Sequence, residues 1–322
     1  MTGRRRARRC LLADAAAMIT MAMILLAPLE VHAQDPSARL QVVRKHLSNQ
    51  RLDKAMKEIV KVLAADPGSV EAWKLKAEIF KRQADLDGAL EASIEAARLA
   101  PDDAELLLSI GDLLTRRNDR LNEALDYYTR SLALDPNSVA IMVRLGSLHE
   151  RREEWQLATE RYRAALILDP NDVRARSGLG AVLFKIGEYG EASRELRKAI
   201  ELSPRDLRSK VFLGMSQNHL GNYDVALDQF KEALLIDPHS ANQLIGVREQ
   251  SAQFHRLTAL FLEAYERSPR EAGRSYDLAV IYFYAHDYEE AWRFLTRAEQ
   301  LRYPIPIEFK EVLYSKRRLR AP

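Results

Sequence analysis

Proline recurs along this chain at an almost constant interval, and that interval restricts the available folds more than any other feature. Pro67, Pro101, Pro136, Pro170, Pro204 and Pro238 are separated by 34, 35, 34, 34 and 34 residues. Self-similarity at such a period indicates stacked copies of one small unit, each too small to bury its apolar face alone. Two rows of small residues keep the same beat. Ala55, Ala89, Ala124, Ala158, Ala192 and Ala226 each stand 12 residues before their Pro, and Ala77, Gly111, Gly146, Gly180 and Gly214 form the second row. Small side chains facing each other let two helix backbones approach to the short end of the roughly 8 to 10 Å packing range.

The segments between prolines read as pairs of antiparallel helices. Apolar residues recur at spacings of three and four, as in Ala192, Leu196, Ala199 and Ile200, which places them on one buried helix face. Polar turns such as Gly187-Glu188-Tyr189-Gly190 and Gly221-Asn222-Tyr223-Asp224 separate the two helices, with Gly able to take the left-handed conformation that ends a helix. Asp135-Pro136-Asn137-Ser138 and Asp169-Pro170-Asn171-Asp172 stop the second helix and offer capping side chains to the next. Trp73, Tyr128, Tyr162 and Phe230 are expected to fill gaps between helices. An apolar fraction of 47% beside 30% charged residues supports a large core under a solvated surface.

The first 33 residues differ from the rest. Arg4, Arg5, Arg6, Arg8 and Arg9 precede a largely apolar stretch from Ala15 to Ala27, and Val31-His32-Ala33 places small residues where a signal peptidase prefers them. The expectation is a secretory signal peptide over residues 1–33. The alternative is an uncleaved membrane anchor, although the apolar stretch is short of the about 20 residues a span requires. The single cysteine, Cys10, lies inside this leader, so the remainder has neither a disulfide framework nor a thiolate metal site. Removing the leader also removes five Arg and two acidic residues, which leaves 44 basic against 44 acidic residues and argues against general nucleic-acid affinity.

No catalytic, cofactor or metal motif emerges. His149-Glu150 is followed by Arg151-Arg152-Glu153, so the second histidine of a zinc-binding helix is missing, and the seven His show no ligand spacing. Gly178-Leu179-Gly180 lies inside an expected helix, follows no strand and lacks the third Gly of a dinucleotide loop. Phosphate-binding loops and nucleophile elbows are absent. The chain is therefore expected to be no enzyme and to need no cofactor.

The repeated units resemble the tetratricopeptide repeat family. Leu145-Gly146, Leu179-Gly180 and Leu213-Gly214, with Ala158-Tyr162-Ala165-Pro170 and Ala226-Phe230-Ala233-Pro238, follow its pattern. The resemblance spans residues 36–304 and implies an all-α fold, a right-handed superhelical solenoid of stacked antiparallel helix pairs. It predicts seven good repeats and a degenerate one at 239–270, which either bends the stack or has decayed. Leu278-Ala279, Tyr282, Ala291 and Ala298 restore the pattern. Residues 305–322 are expected to form a capping helix and a basic tail carrying Lys316, Arg317, Arg318 and Arg320.

The resemblance implies a concave wall lined by the first helix of each unit, holding a protein or peptide partner. The lining so implied includes Glu71, Lys74, Glu78, Lys81, Arg82, Glu105, Asp112, Arg116, Val143, Ser147, Arg151, Arg174, Ser177, Phe184, Lys185, Arg208, Val211, Met215, Asn218 and His219, continuing to Tyr276, Val280, Phe283 and Tyr284. The early wall is charged and the later one mixes aromatics with basic residues. Lys74, Arg82, Arg116, Arg151, Arg174, Phe184, Lys185, Arg208, Val211, Met215, Asn218, Tyr276, Phe283 and Tyr284 are the candidate partner contacts. Glu78, Asp112 and Ser147 stand where relatives that clasp a C-terminal carboxylate carry Asn, which disfavours that clamp. The function so implied is a non-catalytic scaffold, exported to the periplasm or envelope, in a secretion, pilus or polysaccharide-export assembly. The alternatives are a regulatory or substrate-recruiting subunit of an enzyme complex and a membrane-anchored assembly factor. Contact with the membrane is expected only through the N-terminal segment.

Overall fold

Each proline forces the residue before it out of helical geometry, and in the computed structural model that is where the helices stop. The structure describes residues 36–237 and 250–318. Asp169, with φ −131° and ψ 95°, ends one helix before Pro170, and Asp172 starts the next by accepting the Ala175 N–H at 2.7 Å. Ser69, Asp85, Asp103, Asp206 and Asp287 cap other helices in the same way. Ser138 occupies the corresponding position but makes no such bond.

The described residues contain 16 α-helices and no strand. They are α1 (Pro36–Ser48), α2 (Leu52–Ala65), α3 (Val70–Arg82), α4 (Leu86–Leu99), α5 (Ala104–Leu114), α6 (Leu121–Leu134), α7 (Val139–Arg151), α8 (Trp155–Leu168), α9 (Val173–Lys185), α10 (Tyr189–Leu202), α11 (Leu207–His219), α12 (Tyr223–Ile236), α13 (Gln250–Arg267), α14 (Ala272–Tyr284), α15 (Tyr288–Gln300) and α16 (Ile307–Arg318). The leader at 1–33, the opening of the irregular segment at 238–249 and the end of the basic tail at 319–322 lie outside the described residues.

Two compact units divide at Pro136 and Asn137. In the first, α1 packs on α2, α3 on α4 and α5 on α6, with α2–α3 and α4–α5 as the links between hairpins. In the second, the hairpins are α7–α8, α9–α10, α11–α12 and α14–α15, and α13 packs on α14 while also reaching α11. The C-terminal α16 packs on α15 and buries Phe309 and Leu313.

Most hairpins turn through one residue of positive φ. At Gly187 (φ 88°) the turn closes with Gly187 N–H to the Phe184 carbonyl and Glu188 N–H to the Leu183 carbonyl, the bonding of a Schellman motif. Gln50, Ala84, Glu153 and His286 accept the same strained geometry without being glycine, at a cost of about 1 to 3 kcal/mol each. The α5–α6 connection instead uses a short 3-10 turn at Asn118–Arg120.

Packing follows the two rows of small residues. Ala55, Ala89, Ala124, Ala158, Ala192 and Ala226 are all fully buried, as are the rings of Tyr128, Tyr162 and Phe230. Trp73 departs from the expected filling role, because it stays partly exposed at the start of α3 and its indole N–H donates to the Pro67 carbonyl at 3.0 Å. The tightest contact in the second unit involves Tyr162. A Cβ at Gly146 would lie 2.7 Å from its ring, and one at Gly178 closer still.

That geometry sets two opposite substitutions apart. Alanine gains about 1 kcal/mol over glycine in a helix, whereas overpacking a core costs about 1 to 3 kcal/mol. Gly178→Ala is expected to lower stability by up to about 2 kcal/mol, because the Tyr162 ring has nowhere to retreat. Gly190→Ala, also in a helix but with nothing near its would-be Cβ, is expected to raise it by up to about 1 kcal/mol. Thermal unfolding of both variants measures the difference, and a gain in Tm for Gly178→Ala contradicts the packing described.

Candidate functional site

In the first unit, the first helices α3 and α5 carry a charged face that remains open. Glu105, Ser109, Asp112 and Arg116 follow at intervals of four, three and four, which aligns them along one side of α5 and its end. With Lys74 and Lys81 from α3 they line two adjoining grooves, the larger about 280 Å³. The α3 cations are held in place by partners on their own helix and on neighbouring segments. Lys74 pairs with Asp103, Lys81 donates to Ser109 Oγ at 2.6 Å, and Arg82 donates to Glu78 at 2.8 Å and to the Leu47 carbonyl at 2.7 Å. Burial opposes ionisation of Asp103, but the Lys74 ammonium and the Leu106 N–H outweigh it and hold the carboxyl below its ordinary range. On the opposite side of the groove Asp112 accepts the Tyr128 hydroxyl at 2.6 Å. The result is a mixed-charge surface on which Lys74, Lys81, Ser109 and Asp112 are held by partners.

The second unit places the expected aromatic wall differently. Phe184, Val211, Met215, Tyr276, Phe283 and Tyr284, expected to face a partner, lie in its hydrophobic core. Asn218 is also buried. The reason is visible in each contact. Phe184 is enclosed by Tyr189, Phe212 and His219, each at 5.6 Å between ring centroids. Tyr276 and Phe283 both pack edge-on against Phe309 from α16, and Tyr276 also stacks on Tyr303. Tyr284 meets Phe230 and Phe254, and its hydroxyl donates to the Phe230 carbonyl at 3.1 Å.

The basic candidates remain accessible to different degrees. Lys74, Arg82, Arg116, Arg151 and Arg174 are exposed, while Lys185 and Arg208 are half-buried. Arg208 of α11 reaches Glu150 of α7, and the Tyr162 hydroxyl donates to the same carboxylate at 3.1 Å and lies 3.1 Å from Ser147 Oγ. Burial, with the Glu150 charge adding to it, pushes the Tyr162 phenol up to about 12, so it remains a donor at neutral pH. This cluster ties helices together and consumes the Arg208 charge internally. Ser109 escaped the sequence reading of the groove, although its position four residues after Glu105 was the available signal. Among the described residues, no group of three or more His, Cys, Asp or Glu side chains could hold a metal ion, and no helix is long and apolar enough to cross a membrane.

A family model described as Tetratricopeptide repeat matches residues 43–104, 80–139, 143–206 and 179–241. Among solved structures, the chain is similar to PilW, a widely conserved type IV pilus biogenesis factor, at 22% identity and a TM-score of 0.54 over 61% of this chain and 91% of that one. It is similar to PilF of Pseudomonas aeruginosa at 20% identity and a TM-score of 0.55 over 64% of this chain and 94% of that one. The Cut9-Hcn1 hetero-tetramer of APC/C gives 22% identity and a TM-score of 0.55 over 70% of this chain and 45% of that one. No curated protein matches the sequence. At these identities the likeness is one of fold. The family matches cover more than half of the 322 residues and coincide with successive helical hairpins, so the chain belongs to the tetratricopeptide repeat family of protein-protein interaction scaffolds.

Proposed function

We propose that this protein is a non-catalytic scaffold that holds an extended segment of a partner protein across the first-helix face of its first unit. The observation that carries the reading is the pair of adjoining grooves lined by Lys74, Lys81, Glu105, Ser109, Asp112 and Arg116. Both signs of charge are present, and Lys74, Lys81 and Asp112 are held by neighbouring helices, which favours a partner with alternating polar and charged side chains over a plain apolar one. Arg82 flanks this face from the end of α3. The aromatic residues of the second unit serve its core, so affinity is assigned to the polar face.

The proposed setting is the cell envelope. The arginine block, the apolar stretch and Val31-His32-Ala33 support export with cleavage after Ala33. A pilus, secretion or polysaccharide-export assembly is the proposed context. PilW, a pilus biogenesis factor, supports it only to the extent that the same fold serves such an assembly there.

A photo-reactive amino acid placed at Ser109 is expected to cross-link one partner in producing cells, while the same group at exposed Glu91 on α4 is not. Combining Lys81→Glu with Arg116→Glu should cut the Ser109 adduct by about fivefold or more with helicity unchanged. Equal labelling at Ser109 and Glu91, or an adduct indifferent to the charge reversals, removes the groove as the binding face. Intact-mass measurement on the envelope fraction should show a chain beginning at Gln34. A chain retaining Met1 and confined to the cytosol overturns the export reading.

A further inference from the structure

A groove in the second unit lies on the opposite kind of helix, the second member of the α14–α15 hairpin. It has a volume of about 630 Å³ and runs along α15 from Glu289 to Gln300, between Tyr265 of α13 and Arg317 of α16. At about 1.5 Å per residue that is a trough about 17 Å long, the length of about five extended residues. Its volume falls inside the about 300 to 1,000 Å³ typical of ligand sites.

The chemistry of the lining is one-sided. The two carboxylates are already committed, Glu289 to Arg317 at 2.7 Å and Glu290 to Arg293 at 3.1 Å. Arg297, one turn beyond Arg293, has no carboxylate partner among the described residues. Neither the Trp292 indole N–H nor the Tyr265 hydroxyl has a hydrogen-bond partner there. Among the described residues the groove therefore presents a surplus cation and unspent donors beside an aromatic wall. Tyr265 stands edge-on to Phe294 at 5.2 Å, and the Arg317 guanidinium lies over Trp292 at 5.7 Å. Donors without acceptors select a ligand rich in acceptors, the surplus arginine selects negative charge, and the rings select an apolar side chain.

We propose that this trough binds a short acidic peptide segment, seating an apolar side chain against Trp292 and Tyr265 and a carboxylate on Arg297. The site is separate from the groove on the first unit and does not depend on it. Its elongated shape suits a strand of peptide better than a compact anion.

The test is an array of immobilised synthetic pentapeptides, varied in charge and apolar content, probed with the full chain. Peptides combining Glu or Asp with one aromatic or aliphatic residue are expected to be retained above basic and neutral ones. Arg297→Glu should weaken that retention about tenfold and Arg297→Gln by less. Arg205→Glu, on an exposed residue outside the groove lining, should leave it unchanged. Three results overturn the proposal: no preference for acidic peptides, a preference that survives Arg297→Glu in a folded variant, or retention of anionic lipid vesicles without peptide selection. Loss of the preference in the Lys81→Glu, Arg116→Glu variant instead would move peptide binding to the first unit, and would also overturn it.

Discussion

The seat of Tyr162 between two glycines sets the architecture of the second unit. Its ring meets Gly146 in its own hairpin and Gly178 in the next, so one side chain joins helices within a repeat and across the boundary between repeats. The contact works only because neither position has a Cβ. Dispersion over so many close atom pairs, added to the burial of a full aromatic ring, favours one register of the hairpins over slipped alternatives. Phe230 against Gly214 and Tyr128 against Gly111 apply the same constraint elsewhere.

Close approach has a consequence for binding. Where the first helices carry apolar residues, as α9, α11 and α14 do, neighbouring helices come near enough to cover them. Phe184, Val211 and Met215 then gain more from the core than they could from water, at about 25 cal/mol per Å² of apolar surface buried. On α5 the apolar residues Leu106, Leu107 and Ile110 are likewise buried, and it is the row Glu105, Ser109 and Asp112 that lines a groove, since burying an unpaired charge would be costly. Accessibility along the first helices is thus set residue by residue, by which side chains their neighbours cover.

Polar side chains do structural work alongside this. Asp206 caps α11 through the Ser209 N–H at 3.0 Å and accepts the Ser177 hydroxyl of α9 at 2.8 Å, so one carboxylate both starts a helix and ties it to its predecessor. Glu150 links α7 to α11 through Arg208 and to α8 through Tyr162. These bonds fix the angles between helices with a precision that apolar contact alone does not supply. They also explain why Arg208, a reasonable ligand contact by its position on the wall, is already engaged.

The helices, their boundaries and the pairing of their small residues were legible in the sequence because they depend on local rules repeated at a fixed period. Proline stops at a spacing of 34 or 35 residues, Gly187 and Gly221 in left-handed turns, and buried alanines 12 residues ahead of each proline all follow from neighbours along the chain. Side-chain accessibility on the wall was not legible, since it depends on residues far away in sequence. Nothing near Tyr276 or Phe283 announces that Phe309 will cover them, and nothing near Phe184 announces Phe212 and His219. Repetition along the chain determined the elements, and only their packing decided which faces were left for another molecule, because burial is a property of the assembled neighbours and periodicity is a property of the strand of residues alone.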